Sequence, residues 1–474
     1  PKGALFAFNC YRHCAILILH RSGQPGYTLL SEEGVTQGDP LAMFLYGLAL
    51  CPLAATLRKE FPRLLQAWYA DDAAMKGRAS QLAAVMRRLQ ILGPFRGYYP
   101  EPEKTYVICE PDDLPAMEQQ LSDFEFKFTD GHRYVGGHVG SPEALAKWLD
   151  PQIQSWVEGI TKLAKVARRY PQTAYAGLTK SLQQEWQYLQ RVIPDCGPAF
   201  APIEEAISKI FLPALIQGTE EETQRALTSL SVKQAGLGIA DPTKSSTDSF
   251  ESSKGCTELL SASLLACTEL DSNLHARHAG IQRREDRKNR SDRDEKALTS
   301  ISATASAADK LRFDIAKEAG LWLTSAPNRL NGTELSAEEF RDNLRLRLGL
   351  APLDLPDTCD GCGAKFSAAH AMCCKMGGLV VGRHNDVSGE WHHMCGQAHK
   401  PSYVSDEPLI NSGWDFTLAQ GTVAPIQPEL RGDVSCHNFW RRGTTCVFDI
   451  RVTDTAAPSY RGLHPKKVLA KHEK

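Results

Sequence analysis

No stretch of this 474-residue sequence comes near the ~18–20 consecutive apolar residues of a membrane-spanning helix; runs such as Ala15–Leu19 are far too short. Charge of one sign is also lacking. Lys and Arg number 54 against 56 Asp and Glu, so the bulk charge of −2 neither demands nor forbids a nucleic-acid partner. No internal repeat of fixed period is present, and no aspartate precedes Asp39. The chain starts at Pro1, and no charged-then-apolar leader precedes a small-residue cleavage site. That predicts a non-secreted, intracellular protein and a piece of a longer reading frame.

What is present can build a core. Hydrophobic residues make up 42%, which excludes wholesale disorder. There are 14 Cys and 14 His, and seven of the Cys and eight of the His fall between Cys359 and Lys474. Without a secretory signal, such clustering favours metal ligation over a disulfide framework.

The pattern along the chain predicts a multidomain α+β protein. Residues 1–140 read as mixed α and β, with a helix from Pro40 to about Arg58 and a tight hairpin whose strands Leu64–Ala70 and Ala73–Met75 flank an Asp-Asp pair. A helix over Ser80–Leu92 follows from the 3.6-residue spacing of Leu82, Val85, Met86, Leu89 and Leu92. Lys104–Cys109 and Arg133–Val139 are β-rich, and helices are expected at 142–169, 173–193, 200–217, 307–320 and 336–347. The stretch His275–Lys296 carries eight Lys/Arg against five Asp/Glu. Its interspersed signs favour a solvated mixed-charge helix over a basic arm gripping nucleic acid.

Two constellations carry chemistry. The first is Gln37-Gly38-Asp39-Pro40 followed by Trp68-Tyr69-Ala70-Asp71-Asp72. Adjacent carboxylates at a hairpin tip are costly unless positive charge sits beside them, and Mg²⁺ ions there would organise in-line phosphoryl transfer. Gly34 and Gly38 allow close backbone approach, and Asp39-Pro40 suits the start of a helix. With Pro102-Glu103-Lys104 and Tyr134-Val135-Gly136-Gly137 in the same order, the chain resembles the reverse transcriptases of non-LTR retrotransposons.

The resemblance implies a reverse-transcriptase palm, in part, over 1–140, a helical thumb over 141–240 and a helical connector over 241–350. Gln37, Gly38, Asp39 and Pro40 match the motif that contacts template and incoming dNTP, and Tyr69 with Asp71 and Asp72 matches the catalytic, Mg²⁺-binding hairpin. Lys104 stands where the family places the lysine that protonates pyrophosphate, and the Gly136-Gly137 hairpin matches the primer grip. Implied partners are an RNA template, a DNA primer or target DNA, dNTP and the missing N-terminal half of the same polyprotein, in the nucleus and without a membrane. The family carries one more metal-binding Asp upstream, and here Asp39 is the first Asp. The chain as given is therefore expected not to polymerise.

The second constellation is Cys359-x-x-Cys362 with His370 and Cys374. Three thiolates and an imidazole make a closed tetrahedral Zn²⁺ site. Cys373 is the adjacent alternative, but the four-residue separation of His370 and Cys374 is the better helical spacing. Arg383-His384-Asn385, Pro428-Glu429, Arg431-Gly432-Asp433 and Val447-Phe448-Asp449-Ile450-Arg451 follow. A strand-borne acid and a second acid two residues before a cation form the layout of a metal-dependent nuclease. This region resembles the restriction-like endonuclease domain of some non-LTR elements, with a zinc-knuckle region over 351–400 and the endonuclease-type domain over 401–474. On that match Asp433 and Asp449 are metal acids, Glu429 is a third candidate, and Arg451 replaces the usual lysine. Arg cannot deprotonate to act as base, so cleavage would need Lys466, Lys467 or Lys471. An Asp449–Arg451 pair on a solvated strand is the competing reading. Trp391-His392-His393-Met394-Cys395 stays unassigned. Two readings of the whole chain from other classes remain: a nucleic-acid-binding or inert remnant, and a zinc-knuckled DNA endonuclease module.

Overall fold

The computed structural model of the chain describes residues 2–20, 23, 26–32, 38–376, 379–411, 430–455, 457–460 and 462–472. Gln37, Glu33, Gly34 and Glu429 lie outside the described residues. The architecture is mixed helix and strand with small sheets, in keeping with a multidomain α+β chain. Among the described residues, no helix is long and apolar enough to cross a membrane.

The first part of the chain runs α1 (Lys2–Tyr11), β1 (Ala15–Leu19), β2 (Tyr27–Ser31), α2 (Ala42–Glu60), β3 (Leu65–Tyr69), β4 (Asp72–Lys76) and α3 (Ala79–Leu92). Then come β5 (Tyr106–Ile108), α4 (Leu114–Gln120), β6 (Lys127–Thr129), β7 (Gly131–Tyr134) and β8 (Gly137–Gly140). A helical stretch follows: α5 (Pro142–Ala167), α6 (Pro171–Gly177), α7 (Gln183–Val192), α8 (Ala201–Ala206), α9 (Leu212–Ile216) and α10 (Arg225–Thr228). Next are α11 (Pro242–Ala266), α12 (Ser272–Thr304), α13 (Ala307–Glu318), α14 (Leu321–Thr324) and α15 (Ala337–Arg347). The last part holds α16 (Ala368–Cys373), α17 (Leu379–Ala398), β9 (Val404–Asp406), β10 (Leu409–Asn411), β11 (Leu430–Arg431), β12 (Val434–His437), β13 (Thr445–Phe448) and α18 (Pro465–Ala470).

The chain divides into two units. One comprises Pro1–Trp156, Glu185–Pro202 and Pro242–Lys288, the other Val157–Gln184, Ile203–Asp241 and Asn289–Lys474. In the first, the strands form four separate two-stranded ladders, β1–β2, β3–β4, β5–β6 and β7–β8, and only β5–β6 is parallel. Leu50, Leu53 and Leu57 of α2 close on Leu64 and on Val85 and Leu89 of α3, with Trp68 and Met75 of the β3–β4 hairpin at the margin. Ala79 and Ala83 of α3 instead meet Val107 and Leu121, so this helix sits between two apolar clusters. Burial of each Leu side chain is worth about 1.5–3 kcal/mol, and the apolar spacing of α3 is what directs it to both clusters. The β1–β2 hairpin is different, leaving Ile16, Ile18, Leu29 and Leu30 exposed.

The second unit has its core where Ile216, Leu227, Leu230 and Ala235 meet Leu298, Phe313, Ala316 and Leu348. Helix α15 starts with a capping box, in which Ser336 Oγ accepts the Glu339 N–H and Glu339 Oε2 accepts the Ser336 N–H. Three of its arginines are buried, and each donates to backbone carbonyls. Arg341 reaches Ala167 and Arg168, Arg345 reaches Ile216, Gln217 and Ala351, and Arg347 reaches Val232, Gly236, Ala316 and Ala319. Guanidiniums suit this role because five donors on one rigid plane can satisfy several helix-end carbonyls together.

Candidate functional site

Strand β3 pairs with β4 through Tyr69↔Asp72, which leaves Ala70 and Asp71 as a two-residue loop. Ala70 has φ 52°, and Asp71 is not in the positive-φ region. Positive φ at the first loop residue alone is the requirement of a type II′ turn, where Gly is the favoured residue. An alanine there carries left-handed backbone strain on the order of 1 kcal/mol. The turn thus holds Asp71 and Asp72, both exposed, side by side at the hairpin tip.

Tyrosines surround this acidic tip. The Tyr98 hydroxyl is 3.4 Å from the Asp71 carbonyl, and its ring meets Trp68 edge-on at 5.6 Å. Burial, the neighbouring Tyr46 and the charges of Asp71 and Asp72 push the Tyr98 phenol up to about 12. Burial and Asp71 raise Tyr46, and burial and Asp72 raise Tyr134. The sequence does not pick out Tyr46 or Tyr98, and it marks Tyr134 only as part of the Gly136-Gly137 hairpin motif. Each is remote from the Asp pair along the chain, and no local spacing marks it.

Asp39 is engaged elsewhere. Its Oδ2 accepts the Tyr11 hydroxyl at 2.5 Å and its Oδ1 accepts the Leu41 N–H at 2.7 Å. The Tyr11 hydroxyl, followed by the Leu41 amide, holds the carboxyl below its usual range. The helix expected from Pro40 begins instead at Ala42 with Leu41 as its N-cap, and Asp39 lies ahead of it in a turn, with Gly38 before it at φ 90°. Lys104 is exposed and bonded to Glu101 at 2.5 Å, which raises its affinity for a proton.

The β7–β8 turn has positive φ at both Val135 (45°) and Gly136 (77°), as a type I′ hairpin needs. Tyr188 of α7 covers it and donates its hydroxyl to the Val135 carbonyl at 2.8 Å. A Cβ on Gly136 would stand 3.1 Å from Tyr188 Cε1, so the ring rests on a bare glycine. Gly137, the next residue, is buried.

The metal-ligating residues of the second constellation do come together. Ligand atoms of Cys359, Cys362, His370 and Cys374 all lie within 4.8 Å of one another. Sulfur-to-sulfur distances are 3.7 Å for Cys359–Cys374 and 3.8 Å for Cys362–Cys374, and Cys362 Sγ is 3.3 Å from His370 Nε2. A tetrahedral ion with Zn–S near 2.3 Å spaces its sulfurs by about 3.8 Å, so the cluster is already at zinc dimensions. The backbone explains the fit. The Gly363 N–H bonds to the Cys359 carbonyl, Gly363 turns with φ 69°, and a Thr358↔Lys365 bridge closes the loop. Ser367 then caps α16 by accepting the His370 N–H, and Cys374 ends it with its N–H on the His370 carbonyl. The Cys362 amide, then His370 and the Gly361 amide, lower the Cys359 thiol below its ordinary range, favouring the thiolate that a metal needs. Cys373 instead points back along the helix at the Ala369 carbonyl, 3.2 Å away. The four-residue spacing therefore identified the right cysteine.

The tail is a three-stranded antiparallel sheet in the order β13–β12–β9, with α17 against it. Asp433 immediately precedes β12, and its N–H bonds to the Phe448 carbonyl at 2.9 Å. One step past the Val434↔Phe448 pair, the register sets Asp433 opposite Asp449. The carboxylates nevertheless have different surroundings. Asp433 is 3.3 Å from His384 Nε2 of α17 and accepts the Ile450 N–H. Asp449 lies just after β13, not within it, and is exposed, as is Arg451; no ion pair joins the two. Among the described residues, the zinc cluster is the one group of three or more His, Cys, Asp or Glu close enough to share an ion. Among the described residues, neither Asp71 with Asp72 nor Asp433 with Asp449 has a third His, Cys, Asp or Glu close enough to share an ion. In the unassigned segment, His392 bonds Asp406 at 2.5 Å, His393 bonds Gln397, and Cys395 is buried beside Cys436.

No protein-family model matches this sequence, and no curated protein sequence matches it either.

Proposed function

We propose that the chain is a nucleic-acid-handling fragment of a retrotransposon RNA-directed DNA polymerase, in which the β3–β4 hairpin presents its acid pair to a template–primer end. The observation that carries this reading is the strained turn at Ala70. A left-handed alanine that sets two adjacent carboxylates at an exposed tip is a costly way to build an ordinary loop, and such strain concentrates at functional sites. The tyrosines around the tip add apolar ring faces and hydroxyls suited to a base-paired end. The glycine hairpin under Tyr188 corresponds to the element expected to grip the primer.

Two carboxylates without a third do not position both ions of a two-metal transfer, so the chain alone does not extend a primer. The reading is tested in two steps with a labelled RNA-template/DNA-primer duplex in Mg²⁺. With an extendable primer, no dNTP incorporation is expected. With a dideoxy-terminated primer, the complementary dNTP is expected to tighten the complex more than the three mismatched ones do, and Asp71→Asn should abolish that preference. Absence of any complementary-dNTP preference in the unmutated protein would sink the polymerase reading. Robust incorporation that Asp71→Ala removes would instead show that the acid pair suffices.

A further inference from the structure

Signs that alternate along residues 272–288 separate in space. Helix α12 packs antiparallel on α11, with the bare Cα of Gly255 facing Gln282, where a Cβ would meet its side chain at 3.0 Å. The contact face is made by His278, whose Nε2 is 3.1 Å from the Gly255 carbonyl, and by Ala279, Gln282 and Asp286. Asp286 is consumed there, accepting Ser252 Oγ at 2.5 Å and Gln282 Nε2 at 3.0 Å.

At about 100° per residue, Arg277, Arg283, Arg284, Arg287 and Lys288 then fall within an arc of roughly 140° on the opposite side. All five are exposed, and none has a carboxylate within ion-pair distance among the described residues. The one other acid of this stretch, Glu285, lies outside the arc. Arg277 and Lys288 are about 16 Å apart along the axis, from a rise of 1.5 Å per residue. α11, on which the helix rests, approaches β3, the strand leading into the Asp71–Asp72 turn.

We propose that this outward face of α12 is a docking surface for the phosphate backbone of nucleic acid. Four of the five cations are arginines, whose planar forks pair bidentately with phosphate oxygens. A spacing of three, four and seven residues sets them along one groove wall or strand. The favoured partner is nucleic acid rather than an anionic membrane, because the helix has no broad apolar face left to enter a bilayer: its inward side is occupied by α11. This goes beyond the polymerase reading and does not depend on it.

The test uses the full chain, a labelled DNA duplex of about two helical turns, and fluorescence anisotropy between about 50 and 200 mM salt. The variant carries Arg277→Gln, Arg284→Gln, Arg287→Gln and Lys288→Gln, all on exposed positions. Expected are an affinity at least tenfold weaker and a salt slope reduced by up to about 3.6, since each of four phosphate contacts contributes about 0.9 to the slope. The companion with Arg277→Lys, Arg284→Lys and Arg287→Lys should keep most of the slope, showing that charge and not misfolding is read. Unchanged affinity and slope in the Gln variant would overturn the proposal. So would a variant that keeps DNA binding but loses binding to phosphatidylserine vesicles. Asp71→Asn should leave this duplex binding intact, so failure of the polymerase reading shows in a different variant.

Discussion

His384 on α17 and Asp433 just ahead of β12 meet 3.3 Å apart, joining two segments 49 positions apart in sequence. The same carboxylate accepts the Ile450 N–H, so Asp433 bonds two separate segments of the tail while Asp449 stays in solvent. Asp433→Ala is therefore expected to destabilise the tail by about 1–3 kcal/mol, by leaving a half-buried N–H and imidazole without their acceptor. Asp449→Ala should change stability by less than about 0.5 kcal/mol. Urea unfolding followed by tryptophan fluorescence distinguishes them, with Trp391 packed on Phe448 as a local probe. Mg²⁺-dependent plasmid nicking lost in both variants would show instead that the two carboxylates serve one ion.

Zinc should be present at one ion per chain after purification without chelator. Cys362→Ser is expected to lose it and Cys373→Ser to retain it, because only the former has its sulfur in the cluster. Elemental analysis of both proteins is the check. Stoichiometric zinc in Cys362→Ser, or folded zinc-free wild type, would rule the site out.

The β3–β4 and β7–β8 turns should respond in opposite directions to the same kind of change. Ala70→Gly relieves a left-handed alanine and is expected to stabilise by up to about 1 kcal/mol. Gly136→Ala adds a Cβ both at φ 77° and 3.1 Å from the Tyr188 ring, and should destabilise by about 1–2 kcal/mol. Tyr188→Phe, which loses the bond to the Val135 carbonyl, should cost about 1 kcal/mol. Thermal melts of the three variants give the signs directly.

Arg347 is 6% exposed, and burial presses its guanidinium down to about 10. It bonds the carbonyls of Gly236, Ala316, Ala319 and Val232. Arg347→Met keeps the aliphatic volume and leaves those carbonyls unpaired, so a loss of about 3 kcal/mol or more is expected. Arg345→Met should behave similarly, whereas Arg329→Met, on an exposed residue, should be nearly silent. Chemical denaturation midpoints decide it. Equal midpoints for Arg347→Met and wild type would refute the bracing role.

Local chemistry was readable from the sequence wherever the interacting residues are neighbours along the chain. The helix over 79–92, the hairpin at Asp71-Asp72 and the choice of Cys374 over Cys373 all follow from spacings of two to four residues. Such spacings act through fixed backbone periods, so no knowledge of the fold is needed. Tertiary structure decided the rest. The sequence marks a helix over 336–347 but not the burial of Arg341, Arg345 and Arg347, whose guanidiniums donate to carbonyls as far as 174 positions away. The interspersed charges of His275–Lys296 favour a solvated mixed-charge helix. Packing of α11 on one side of α12 draws Asp286 inward and leaves a basic face, because a helix sorts residues by angle and only a neighbour determines which angle is buried. The left-handed Ala70 and the bonding of Asp433 to His384 and Ile450 belong to the same class. Backbone strain and long-range hydrogen bonds are set by what the folded chain brings alongside, and residue order alone does not contain that.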